Sequence, residues 1–277
     1  MRNVLYVLFS LLIASSALAA PGSPTLWEKC VYGSKPGCQP LNIEGFTTSI
    51  TTTERTVWPE NINYVVPVAA ASTPSCVSAD ANDDATPASN TGAQTIRVSG
   101  IKTTYAAFTE TVSLNGTSAV NLATTNVLLI NKLEVLTAGS GLVNAGAITC
   151  SNATGPVVMA SMPAGANVSL GAIYGVPAGY TLLCKDTVLH SYAVTAGQTV
   201  QFLLTRYVNL GIAKVETLGY VGLAASNFFV LPNYLVFEEK TIFKVGVLSA
   251  ASTGTQGVKL TCLLIEDAWA ATAQDIF

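Results

Sequence analysis

Short runs of Val, Ile, Leu, Tyr and Phe, separated by Gly, Pro, Asn and Thr, set the pattern of this chain. It is densest over Leu136–Lys185, where Thr137-Ala138-Gly139, Pro163-Ala164-Gly165 and Pro177-Ala178-Gly179 punctuate runs of five to nine residues. A fourth such triplet, Thr195-Ala196-Gly197, follows. Proline presets φ for a turn corner, and glycine takes a left-handed site without steric cost. Strand, tight turn, strand is the grammar of antiparallel β structure. Further strands are predicted at Ser49–Val57, Asn63–Ala69, Thr95–Ser99, Phe108–Leu114, Val127–Val135, Thr199–Tyr207, Ile242–Leu248 and Val258–Ile265. Asn115-Gly116 reads as a two-residue type I′ hairpin. The fold class is all-β: two consecutive antiparallel β-sandwiches, at 46–140 and 141–267, the second jelly-roll-like.

Outside these units the pattern changes. Residues 1–19 read as a signal peptide, with Arg2, the apolar run Val4–Ile13 and a small-x-small cleavage site ending at Ala19. The apolar run is shorter than the roughly 20 residues that span a bilayer. Residues 20–45, rich in Pro and Gly, read as an irregular cysteine-containing arm, and 268–277 as a tail. Leu218–Phe237 is twenty residues without a charge. Gly219, Gly222, Asn227, Pro232 and Asn233 cut it into strand-sized pieces, so two buried strands are expected rather than a transmembrane helix.

Composition narrows the function. Charged residues are 10% of the chain and hydrophobic ones 50%, with a net charge of −3 (13 − 16). No basic stripe offers nucleic acid an electrostatic footprint. Low charge with high β-propensity points to large contacts with other protein copies, hence a homo-oligomer. Six cysteines in an exported chain point to disulfides, with fifteen connectivities open. Cys30 and Cys38 flank a turn-forming segment and are the expected local bridge. Cys150, Cys184 and Cys262 sit in predicted strands, where they pair across sheets or remain buried thiols; Cys76 is unassigned. Sequons stand at Asn115, Asn152 and Asn167, all in turn or loop contexts.

Candidate chemistry is sparse. Asp80, Asp83 and Asp84 lie in the polar loop 78–92, but without the spacing of a calcium loop, and aspartate is an ordinary turn residue. His190 is the only histidine. Asp186, four residues earlier, would share its strand face about 13 Å away, and no G-x-S-x-G accompanies it. The acids scatter without forming a catalytic pair. No catalytic residue, cofactor or metal ligand is expected. The aromatic residues of the second half could stack on a host surface glycan, although packing explains most of them.

The runs TTTERTVWPE and INYVVPVAAAS, the segment FTETVSLNGTSAVNLATTNVLLINKLEVLTAGSG, the doubled turns in PAGANVSLGAIYGVPAGYT, and PNYLVFEEKTIFKVGVLSAAST with VKLTCLLIED resemble virion structural proteins of tailed phages and large algal DNA viruses. The resemblance spans Thr47 to Asp267. It implies a β-rich piece of capsid, fibre or tail surface, partnered by itself or other virion proteins, with no active site. A signal peptide and six cysteines depart from proteins made in a bacterial cytoplasm, and point to a virus of a eukaryote or an exported protein carrying the module. The expectation is a non-enzymatic minor capsid or surface/fibre component at the virion surface or outside the cell. The alternative is an exported adhesion or carbohydrate-binding module, and a polysaccharide-directed enzyme is a third class.

Overall fold

The computed structural model describes residues 26–33, 35–67, 73–87, 89–152, 157–192, 199–211, 214–222, 227–231, 234–249 and 253–270. The signal peptide with Ala19, the turn at 195–197 and residues 271–277 lie outside them. The regular structure of the described chain is antiparallel strand with two short helical segments. A short helix, α1 (Leu26–Val31), precedes β1 (Cys38–Ser49) and β2 (Arg55–Thr56). A middle block holds β3 (Pro74–Ser78), β4 (Ala93–Lys102), β5 (Ala107–Ser113), β6 (Val120–Asn121), β7 (Val127–Ala138), β8 (Ile148–Asn152) and β9 (Val158–Met162). The last block holds β10 (Ile173–Gly175), β11 (Tyr180–Tyr192), β12 (Thr199–Val208), β13 (Val215–Gly222) and β14 (Asn227–Leu231). It ends with β15 (Leu235–Phe237), β16 (Thr241–Ser249), β17 (Thr253–Glu266) and one helical turn, α2 (Asp267–Ala270).

The first and last blocks form one body. One of its sheets runs β1-β17-β11-β14, with β15 also on β11; the other runs β10-β16-β12-β13, with β2 also on β16. Side chains alternate across a strand, so Val258, Leu260, Cys262 and Leu264 of β17 face Phe202, Leu204, Phe243, Val245 and Val247 of the second sheet in one shared core. A bulge between Cys184 and Asp186 switches the phase of β11, so that Leu182 and Cys184 before it and Leu189 after it all point inward. On the outer face of this sheet, α1 brings Cys30 and Trp27 over Leu183, Leu263 and Ile265.

β2 and β10 lie end to end along the same edge of β16. Thr56 pairs with Gly246 and Ile173 with Lys244. Between them, the Val57 amide donates to the Val245 carbonyl (2.8 Å), the Val245 amide to Ala172 (2.8 Å) and the Ala172 amide to Val57 (2.9 Å). The chain leaves one strand line at Val57 and rejoins it at Ala172, 115 residues later (172 − 57). Gly45 of β1 passes under this junction. A Cβ there would stand 2.3 Å from the Val57 carbonyl oxygen and 2.5 Å from the Ala172 nitrogen, both backbone atoms.

The excursion is a second unit. Its sheets, β6-β3-β8-β9 and β5-β4-β7, enclose a core that includes Ile96, Val98, Leu133, Ile148 and Met162. It meets the body through an apolar seam in which Trp58, Tyr64, Ile101, Leu128 and Leu129 join Ile173 and Ile242. The Asn131 side chain closes the seam: its Nδ2 donates to the Gly175 carbonyl (2.9 Å) and its Oδ1 accepts from the Gly175 amide (2.8 Å).

This connectivity corrects the expected division into consecutive units at 46–140 and 141–267. Residues 38–49, assigned to the irregular arm (38–45) and the first unit (46–49), form β1 and pair with β17, while β8 pairs back to β3 and β9 to β8, so both belong to the middle unit. Only Arg55–Thr56 of Ser49–Val57 is strand beyond β1, and the described part of Asn63–Ala69 is not strand. The Asn115-Gly116 hairpin does not form either. Gly116 has φ +54° but Asn115 does not have positive φ, and the Gly116 amide donates to Asp83 while its carbonyl accepts from Ser78. These longer-range partners draw the dipeptide into the loop. β5 turns back on β4 instead, through Tyr105 at φ 62°. Gly165 (φ +73°) and Gly179 (φ +79°) occupy the left-handed sites expected of the Pro-Ala-Gly turns, whereas Thr137-Ala138 is the end of β7.

Candidate functional site

All six cysteines are paired. Cys30–Cys38, separated by eight residues, ties α1 to the start of β1. Cys76–Cys150 and Cys184–Cys262 join residues directly opposite on neighbouring strands of one sheet, with Cα–Cα distances of 4.0 and 3.9 Å. The alternative of buried free thiols is therefore excluded, and these two bridges lie within a sheet rather than across sheets. Each unit carries one long bridge.

The polar loop that invites a cation is held by its own hydrogen bonds. Asp83 is fully buried. Its Oδ1 accepts from the amides of Ala93 (2.6 Å) and Ala145 (2.7 Å), and its Oδ2 from the Ser78 hydroxyl (2.5 Å) and the Gly146 amide (2.8 Å). Four donors occupy both oxygens, so this carboxylate pins β3, β4 and the 144–146 segment together. Asp80 accepts from the Asn82 amide and Asp84 from the Thr86 amide, two residues on in each case, the local turn geometry of aspartate.

The three sequons differ in context. Asn115 is exposed in its loop. Asn167, at φ 59°, uses its side chain to hold the neighbouring turn: Nδ2 donates to Leu142 and Oδ1 accepts from the Asn144 amide. Asn152 ends β8, and the following residues of its sequon lie outside the described ones.

His190 lies on β11 opposite Gly257 of β17, and its ring covers the position a Cβ would take, with Nε2 1.9 Å from that point. Only glycine admits the ring there. Burial lowers the imidazole pKa, and the negative charge of Glu44 on β1 works against that shift. Its surroundings are a sheet surface.

A concavity lies away from it. A cleft of about 1020 Å³ separates the outer edge of β1, at Gln39–Glu44, from the solvent face of the β5-β4-β7 sheet. Trp27 stands at its lip, with the Lys185 ammonium 5.6 Å from the ring centroid. Across from β1, Glu134 accepts from Arg97 (Nε 3.0 Å, Nη2 2.9 Å) and from Lys132 (2.8 Å). Partial burial pulls the Glu134 pKa upward, but the hydrogen bonds and charges of Lys132 and Arg97 outweigh it and hold the carboxyl below the ordinary range. Ser99 and Thr109 add paired hydroxyls (3.3 Å). The lining offers hydrogen-bond donors, acceptors and one indole, which suits a polar, multiply hydroxylated ligand; His190 is not part of it. Sequence reading missed this cleft because its walls come from residues 39–44, 97–109, 131–134 and 168–177. The linear pattern places these in an irregular arm, in separate strands and in a turn-rich stretch, without saying that they meet.

No protein-family model matches the chain, and no curated protein is significantly similar to it. Among solved structures, it is similar to the VP2 subviral particle of infectious bursal disease virus, at 10% identity and a TM-score of 0.26, covering 83% of this chain and 72% of that one. A structure of the Gx strain of the same virus matches at 12% identity and TM-score 0.26, covering 83% and 73%. The T=1 particles derived from that virus match at 13% and 0.23, covering 83% and 74%. TM-scores this low do not establish a common topology.

Proposed function

We propose that this chain is a non-enzymatic structural protein of a virion, a minor capsid or surface/fibre component that works through subunit–subunit contacts. The observation that carries the reading is the strand pairing of the body. Counting β2 with β10 and β14 with β15 as single strands gives eight, in the order β1, β10, β11, β12, β13, β14, β16, β17. The first pairs with the eighth, the second with the seventh, the third with the sixth and the fourth with the fifth. That is a long hairpin rolled into two facing sheets, the jelly-roll form of a β-sandwich, which recurs in viral capsid and lectin domains. The middle unit is then a second sandwich carried on an interrupted strand, a geometry that lifts a separate surface off a packing body. Fold alone does not select a function; the low charge of the chain and its resemblance to virion structural proteins favour the structural role.

In this reading the chain is exported, is cleaved after Ala19 and acquires its three disulfides in an oxidising compartment. Asn115, exposed in its loop, is open to glycosylation. Mass spectrometry of purified particles, with peptides mapped under non-reducing conditions, tests it. Stoichiometric amounts of a chain starting at Ala20 with bridges 30–38, 76–150 and 184–262 are expected. Absence from the particles would overturn the role.

The cleft favours a second reading, an adhesion or carbohydrate-binding module. It predicts a glycan-dependent rise in melting temperature that is lost in Arg97→Ala and Trp27→Ala.

A further inference from the structure

Among the described residues one basic side chain is buried: Lys244 of β16, 3% exposed. Phe243, Val245 and Val247 face the core of the body, so Lys244 and Gly246 share the opposite face, where the segment 54–64 passes. There the ammonium meets three groups. Nζ lies 3.2 Å from Glu54 Oε1, donates to the Tyr64 carbonyl (3.3 Å) and makes a close contact with the side-chain oxygen of Asn63, Oδ1. The same Oδ1 accepts from the Thr56 hydroxyl (3.1 Å), which itself accepts from the Tyr64 amide (2.8 Å) and so keeps its proton for Asn63. Gly246 makes room for the carboxylate: a Cβ there would stand 2.5 Å from Glu54 Oε1. That oxygen is buried and takes no hydrogen bond beside the ion pair. Burying an ion pair is costly, and apolar side chains often fill such a place as well, so stability alone does not account for this set.

We propose that Lys244 and Asn63 join in an intramolecular isopeptide bond, formed by the folded chain itself with loss of ammonia. Glu54 takes a proton from the ammonium, and the neutral Nζ attacks Asn63 Cγ. The Thr56 hydroxyl donates to the oxyanion that develops on Oδ1. Glu54 passes its proton to Nδ2 and takes the excess proton from Nζ; the Cγ–Nδ2 bond breaks, and ammonia leaves as ammonium with the carboxylate restored. One ammonium side chain and one carboxamide thus become one secondary amide and one ammonium ion, and the balance needs no co-reactant. Contact held by the fold replaces the encounter that such a reaction otherwise waits for. Asn63 is exposed, which gives the ammonium a way out. The bond joins residues 181 apart, with the whole middle unit between them, and locks the start of the excursion onto the body beside the Val57–Ala172 junction. It needs no second chain, and so stands or falls apart from the role in a virion.

Mass spectrometry of the full chain, folded with its disulfides and then reduced and denatured, tests it. The wild type is expected to lose about 17 Da, one ammonia, relative to its sequence, and to yield a branched peptide joining the segments of Asn63 and Lys244. Glu54→Gln keeps both partners but removes the base; it is expected to slow linkage by about 100-fold or more, leaving the full mass just after folding. Lys244→Arg, with no amine to condense, keeps the full mass throughout. A wild type of full mass, with separate peptides for Asn63 and Lys244, would overturn the bond whatever the variants do. A loss of ammonia that persists in Lys244→Arg would overturn it too, because it places the loss in a succinimide of the kind Asn115-Gly116 forms. Linkage undiminished in Glu54→Gln would overturn the role of the carboxylate.

Discussion

The body and the middle unit are both pairs of antiparallel sheets around one core, yet they close in opposite ways. The ladders between named strands of the middle unit all lie within residues 74–162, β7 adding one bridge to Val168, and its disulfide spans 74 residues. The body closes through its ends: Cys38 lies opposite Ile265, 227 residues later (265 − 38). Contacts this distant must pay loop-closure entropy before they stabilise anything. The middle unit can therefore close before the body's last strand is made, and the body cannot. The apolar seam and the Asn131 clamp then couple two units that close in different ways.

The largest lever on this comparison is the pair of long disulfides. Loops of 78 and 74 residues restrict the unfolded chain almost equally, so each bridge should contribute about 4 kcal/mol in the chain-entropy account. Cys184→Ser/Cys262→Ser is expected to lower the urea midpoint of the body, and Cys76→Ser/Cys150→Ser that of the middle unit. Tryptophan fluorescence with far-UV circular dichroism separates the two. If both variants shift one common transition equally, the seam makes the units a single cooperative block and the contrast fails.

Asp83→Ala acts on the middle unit alone. It leaves the Ser78 hydroxyl and the amides of Ala93, Ala145 and Gly146 without their acceptor, at a cost of about 3 kcal/mol or more. Denaturant unfolding checks it. A loss under ~1 kcal/mol would mean that water takes over the carboxylate's role. Gly45→Ala is smaller and falls on the junction itself. Its Cβ can be relieved only by moving backbone at Val57 or Ala172, which should cost about 2 kcal/mol. An unchanged midpoint would show that the junction is more yielding than its hydrogen bonds imply.

The contrast also explains what was legible in the sequence. Strand type and approximate position follow from local alternation, as in β4, β5, β7, β12, β16 and β17, and the αL glycines Gly165 and Gly179 follow from turn chemistry. Local signals fail where a distant partner decides. Asn115-Gly116 has the composition of a hairpin but answers to the carbonyl of Asp83 and the amide of Ser78. Cys38–Ser49 alternates weakly, its proline and glycine read as irregular, and β17 makes it a strand. Nothing in Val57 or Ala172 reveals that one strand line is cut between them. The cleft escapes for the same reason, since opposing walls are a property of pairing order.

His190 gives the smallest effect and the most selective one. It is the only histidine, so near neutral pH imidazole titration touches the body alone. Its pKa is lowered in the folded state by burial over Gly257, partly offset by Glu44, so the unfolded chain binds the proton more readily. The stability tied to the neutral ring is fully present above the ordinary imidazole value of about 6.5 and is lost as pH falls through the lower folded value. Urea midpoints measured at neutral and mildly acidic pH should therefore decline for the body transition and not for that of the middle unit. His190→Gln should flatten the decline, and Glu44→Gln should steepen it by removing the charge that favours the imidazolium. A decline that survives His190→Gln unchanged would place the proton uptake elsewhere and remove this difference between the two units.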